Sequence, residues 1–152
     1  MQRPLRRHPA LQPLSREHHQ ILLLGFKIRQ GLKHKVAPQR IVNYCSWFFH
    51  SYLNPHFEKE EKCIGSLFDK ETQLSSELKS SHQNVAKKFQ NLIPEISYIK
   101  SLERLIVSHI RFEERVLFEH LQSHLTTEDI TYLELHLKEK TFKENYEGVF
   151  WK

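Results

Sequence analysis

The chain has 152 residues, enough for one domain with a single substantial core and too few for several. Hydrophobic residues make up 39% and charged residues 27%, an ordinary globular balance, and no apolar run approaches the roughly 18 residues of a membrane span. The formal net charge of +5 invites a nucleic-acid reading, but basic and acidic residues interleave, as in Glu58-Lys59-Glu60-Glu61-Lys62, which is the pattern of a solvated surface. No nucleic acid and no membrane are expected as partners.

Residues 1–14 read as an extended arm punctuated by Pro4, Pro9 and Pro13. Arg3, Arg6 and Arg7 are followed by prolines and polar residues where a secretion signal needs an apolar stretch, so a cytoplasmic location is the expectation. The scarcity of glycine and the helical apolar period predict an all-α chain with four main helices and a shorter fifth.

Ser15 is the expected N-cap of the first helix and Gly31 its natural stop. The inner stripe is Leu14, His18, Ile21, Gly25, Ile28 and Leu32, so one histidine lies on the apolar face. Gly25 costs about 1 kcal/mol in a helix interior, which close approach of a neighbouring helix or a ligand would explain. The second helix starts near Pro38 and runs to about Lys62 along Val42, Cys45, Phe49, Leu53, His56, Glu60 and Ile64. Pro55 predicts a kink or a break just before His56. Cys45 and Cys63 lie on this helix about 27 Å apart, too far to bridge, which agrees with a reducing compartment.

The third helix begins between Thr72 and Ser76 and ends before Pro94, with Leu78, His82, Val85, Phe89 and Leu92 on one face. The fourth follows Pro94 and reaches about His124 along Ile99, Leu102, Ile106, His109, Glu113, Val116 and His120. Thr126 or Thr127 caps the fifth, which runs to about Lys138, and the apolar Phe150-Trp151 is expected to pack back onto the domain.

One phrase occurs twice: His56-Phe57-Glu58-Lys59-Glu60-Glu61 and His109-Ile110-Arg111-Phe112-Glu113-Glu114. In each, a histidine and a glutamate four residues apart share a helix face. Together with the single seam histidines, the stripes direct His18, His56, Glu60, His82, His109 and Glu113 into one interior. Burying six such groups unpaired is too costly, and two divalent cations would satisfy them all. Imidazole with carboxylate suits iron, manganese or zinc, and two ions bridged by carboxylates favour iron. The remaining histidines read as structural; His8 lies in the arm, and His19, His50 and His120 are the ones close enough to serve as outer partners.

With Glu17-His18 early in the chain, the lone His82 and the two repeated phrases, residues 14–124 resemble a hemerythrin-like, HHE cation-binding domain. The resemblance implies an up-down-up-down four-helix bundle, here with an N-terminal arm and, over 126–152, an added short helix and tail, all one domain. It implies a non-haem di-iron centre bridged by Glu60, Glu113 and an oxo or hydroxo group, with manganese or zinc able to substitute. Its ligands would be dioxygen or another small diatomic molecule or peroxide. Members of the family bind dioxygen reversibly, sense iron or oxygen, or handle nitric oxide and peroxide stress. True hemerythrins carry a second histidine one turn after the third-helix histidine, where this chain has Ala86. The second bridging acid of oxygen carriers would fall on Glu114, whereas the inward seam favours Glu113.

An oxygen-binding or iron/oxygen-sensing protein is therefore the first expectation, with Phe49, Phe57, Phe89 and Phe112 available to shield its pocket. A redox enzyme or stress protein acting on peroxide, oxygen or nitric oxide is the alternative. No separate acid–base pair, nucleophile or phosphate loop specifies a reaction, and whether the chain is an enzyme stays open. A third expectation is a regulatory module that meets a partner through the fifth helix and tail.

Overall fold

A computed structural model describes residues 6–68 and 72–152. Helix α1 spans Gln12–Lys33. Helix α2 is continuous through Pro38–Phe48, a π-helical turn at Phe49–Leu53, and Asn54–Cys63. Helix α3 covers Thr72–Gln90. Helix α4 runs through Ile96–Phe112, a second π turn at Glu113–Leu117, and Phe118–Ser123. Helix α5 is Thr127–His136, and short 3₁₀ turns occupy Gly65–Phe68 and Tyr146–Gly148. Among the described residues there is no strand, and no helix is long and apolar enough to cross a membrane.

Two apolar clusters define the topology. One joins Ala10, Leu11 and Leu14 to Cys63, Leu78, Leu117, Leu121 and Leu133. The other joins Ile21 and Ile28 to Ile41, Phe49, Val85, Phe89, Ile99 and Ile106. Helices α1 and α3 run from the first cluster to the second, and α2 and α4 run back. The bundle is therefore up-down-up-down, and α5 closes the first cluster through Leu133.

Several helix ends differ from the sequence expectation. Helix α1 starts at Gln12, with Pro13 in its first turn, and not after Ser15. The Ser15 hydroxyl instead donates to Glu114 Oε2 at 3.0 Å. Nor does Gly31 end the helix. Two turns of hydrogen bonding close beyond it, Lys35 N–H to Leu32 O at 3.2 Å and Val36 N–H to Gly31 O at 2.9 Å, with Lys35 left-handed at φ 56°. Gly31 is small for a packing reason: a Cβ there would lie 2.6 Å from the Phe150 ring. Gly25 marks the close approach of α1 and α4, since its Cβ would meet Val107 Cγ2 at 3.0 Å. Helix α5 stops at His136, short of Lys138, and Thr126 caps it reciprocally with Asp129 at 3.0 Å in both directions.

The two π turns have local causes and consequences. Pro55 has no N–H to offer Ser51 O, and α2 widens just before it instead of breaking. Lys140 Nζ donates to the Ser51 carbonyl in this turn. In α4 the extra residue of the π turn rotates everything that follows. The expected inward residue Val116 is 49% exposed, and Leu117 and Leu121 are buried in its place.

Candidate metal centre

The six predicted site residues form a polar layer between the two apolar clusters. Each helix alternates from one cluster through the layer to the other: Leu14, His18, Ile21 on α1; Leu78, His82, Val85 on α3. None of the six is more than 3% exposed.

All four histidines turn Nε2 inward. His56 Nε2 lies 2.7 Å from Glu60 Oε1 and His109 Nε2 lies 2.5 Å from Glu113 Oε1, the two i,i+4 pairs of the repeated phrase. His18 Nε2 stands 2.8 Å from Glu113 and 3.6 Å from Glu60; His82 Nε2 stands 3.0 Å from Glu113 and 3.3 Å from Glu60. Two four-residue groups result, His18, His56, Glu60, Glu113 and Glu60, His82, His109, Glu113, each with its ligand atoms within 4.8 Å of one another. The two glutamates belong to both.

The Nδ1 atoms face outward to a second ring of groups. His56 Nδ1 donates to Glu17 Oε1 at 2.7 Å, and His109 Nδ1 shares a hydrogen bond with Ser81 Oγ at 2.5 Å. Glu114 and Glu61 stand 3.5 Å from the Nδ1 atoms of His18 and His82, in ion-pair range. Partners on Nδ1 fix the tautomer that leaves Nε2 free to ligate. The repeated His-x-x-x-Glu-Glu therefore has a division of labour. Its first glutamate points inward, and its second backs the single histidine of a neighbouring helix. Glu113, not Glu114, is the inward acid.

The protonation balance follows from this crowding. Burial disfavours charge on Glu60, but His56 and His18 overcome it and hold its carboxyl well below the usual range. Burial and the nearby Glu60 push Glu113 up, yet His109 brings it down to about 2. On His82, burial is outweighed by Glu113 and Glu60, which raise it to about 10. His18 is likewise raised well above its ordinary value, against burial, by Glu113, Glu114 and Glu60. Protons on His18, His56 and His82 offset the charge of the two carboxylates, and a cation would displace them.

The donor set fits divalent metal. Nε2 of His18, His56 and His109, both oxygens of Glu60 and Oε2 of Glu113 are sealed from solvent, and their close neighbours are the other donors of the layer. Such atoms are costly in an apolar interior unless something binds them. A cation in each group would supply that partner, with a nitrogen and oxygen set suited to iron, manganese or zinc.

Of the aromatics expected to line the pocket, Phe57 does so: it stacks on His82 at 4.1 Å between centroids and meets His109 edge-on at 5.3 Å. Phe118, which the sequence reading passed over, stacks on His18 at 5.2 Å. Phe49 and Phe89 stack on each other in the larger apolar cluster, and Phe112 lines a surface groove. His19 and His50 are exposed, and His120 stacks on His124; none of the three joins the two groups. The outer partners are acids and a hydroxyl instead. Glu17, Glu61 and Ser81 each adjoin a seam residue in the sequence, and that adjacency was the available signal.

Comparison with curated proteins and with solved structures finds no match. The family model for the hemerythrin HHE cation binding domain matches residues 10–135, which takes in all six inward residues and all four outer ones. The chain belongs to the hemerythrin HHE cation-binding domain family.

Proposed function

We propose that this protein holds two iron ions in the polar layer and uses them to bind dioxygen or a related small ligand, as carrier or sensor. In this reading His18 and His56 would hold one ion and His82 and His109 the other, with Glu60 and Glu113 serving both. The observation that carries it is the sharing: two four-residue groups with both glutamates in common, built from buried atoms with no other partner. Manganese or zinc could occupy the same donors.

A bound iron pair supplies reversible electron transfer to a small ligand. The chain's own residues do the rest. Phe57 and Phe118 cover histidine faces and exclude water. Glu17 accepts the Nδ1 proton of His56, and Ser81 hydrogen-bonds Nδ1 of His109 and so orients its ring. A groove of about 520 Å³ lined by Ser76, Ser80, Ser81, Asn84 and Phe112 brings solvent to within one side chain of His109, and we read it as the approach for small ligands.

A second reading, a redox enzyme or stress protein acting on peroxide, oxygen or nitric oxide, draws on Ala86. That side chain packs against the apolar cluster one turn beyond His82, where an oxygen carrier places a fifth histidine. One fewer ligand leaves room for a reacting molecule. The two buried cysteines suit a cytoplasmic setting, and the packing of tail onto bundle suits one domain over 1–152. Exposure of the ferrous protein to oxygen separates the readings. A visible charge-transfer band that vanishes on deoxygenation supports binding; irreversible oxidation with turnover of peroxide or nitric oxide supports the enzyme.

A further inference from the structure

The residues after α5 do more than cover the bundle. Glu17 is 1% exposed, and both its oxygens are committed. Oε1 accepts from His56 Nδ1, while Oε2 accepts from Lys59 Nζ and from the backbone N–H of Lys140 at 2.7 Å. Lys59 Nζ also donates to Lys138 O at 2.6 Å, and Lys140 Nζ reaches Ser51 O. Residues 138–140 thus cross the bundle as a strap tied to α1 and α2 at the one carboxylate that orients His56.

The strap is held at its far end as well. Lys27 Nζ, buried, donates to Glu144 Oε2 at 2.7 Å and to Tyr44 Oη at 2.9 Å, and Arg40 Nη2 donates to Val149 O at 2.9 Å. Phe150 fills the space over Gly31. The outer partners of the other three histidines, Glu114, Glu61 and Ser81, all lie within the four-helix bundle. Moreover, the strap falls beyond the residues the family model matches. One ligand of the layer is therefore oriented through chain that lies outside the matched domain.

We propose that Lys138–Lys140 is a positioning strap for His56, fixing Glu17 so that the His18/His56 half of the centre depends on the C-terminal segment and the His82/His109 half does not. Removing a partner that orients a metal-bound histidine weakens metal binding by about 10- to 100-fold. Undocking the tail should consequently loosen one ion and spare the other, which makes the strap a route by which events at the surface reach half of the centre. The inference rests on the two-metal reading.

Cobalt(II) titration of the full chain tests it, read by the visible bands of the bound ion and by the exchangeable imidazole N–H proton signals. Lys140→Pro deletes the N–H that Glu17 accepts; Lys140→Ala keeps it and removes only the side chain. Lys59→Ala removes the second donor to Glu17 without altering the backbone. We expect Lys140→Pro and Lys59→Ala to weaken one of two cobalt sites by about tenfold or more and to speed exchange of one imidazole N–H. Lys140→Ala, which loses the tie to Ser51 O but keeps the N–H to Glu17, should weaken that site less than Lys140→Pro does. Equal weakening of both sites, or of neither, in Lys59→Ala and Lys140→Pro overturns the strap while leaving two-metal binding intact. If the unaltered chain takes up no cobalt, the metal reading itself fails and the strap falls with it.

Discussion

Glu60 and Glu113 reach the same point from different helices: Glu60 lies within 3.6 Å of His18, His56 and His82, and Glu113 within 3.0 Å of His18, His82 and His109. Each glutamate touches both halves of the layer. Loss of either should therefore cost both ions, whereas loss of a histidine should cost one. Glu60→Ala or Glu113→Ala is expected to leave the chain close to metal-free, and His109→Ala to leave about one ion, half the complement proposed for the six donors. Metal analysis of the purified variants checks this. A glutamate variant that retains one tightly held ion would contradict the bridging roles.

Ala86 offers a gain-of-ligand experiment. It lies one turn beyond His82 on the same face and is partly buried against the apolar cluster. Ala86→His should tighten the ion of the His82/His109 half and leave the other half unchanged. Stepwise metal titration resolves the two, and with iron loaded the variant should also oxidise more slowly in air.

The tail has a packing signature at Gly31. A methyl group there would sit 2.6 Å from the Phe150 ring, so Gly31→Ala must push that ring out. Overpacking of this kind costs about 1–3 kcal/mol. Urea unfolding of the variant should show the loss in the midpoint, and Trp151, which is edge-on to Phe150 at 5.2 Å, should report the displaced tail by fluorescence.

Acid should release the same segment. Burial raises the Glu144 carboxyl, but its hydrogen bonds with Lys27 and Tyr44 win, and its pKa is lowered from the ordinary value of 4.5. A depressed carboxylate stabilises the folded state above that ordinary value and loses its contribution as pH falls through the lower folded value. Tail docking should thus carry the full contribution of Glu144 and be independent of pH near neutrality, and weaken below about 4.5. Tryptophan fluorescence against pH, with Glu144→Gln as the comparison, checks it: the variant should lack the acid-dependent step.

Much of this arrangement was legible in the residues. The inward seams of α1, α2 and α3 followed from helical period alone, and the six polar residues on them share one layer. The end of α4 was not legible, because the period assumes 3.6 residues per turn and the π turn at Glu113–Leu117 breaks it. Val116 and His120 lost their inward places to Leu117 and Leu121 for that reason. Ser15 and Gly31 looked like helix punctuation, yet both serve tertiary contacts, with Glu114 and Phe150. Glu17 stands beside His18 in the sequence, but its partner is His56, 39 residues away. Lys27 on an apolar face could not be foreseen without the tail that carries Glu144 to it. Long-range pairing of this kind has no local period.

The central claim is that the polar layer holds a pair of metal ions. Purification of the full chain without chelators, followed by elemental analysis, tests it most directly. Close to two irons per chain are expected, or two manganese or zinc ions in their place, released together on acidification as protons compete for the donors. A chain that purifies without metal and cannot be reconstituted with iron, manganese or zinc would contradict it.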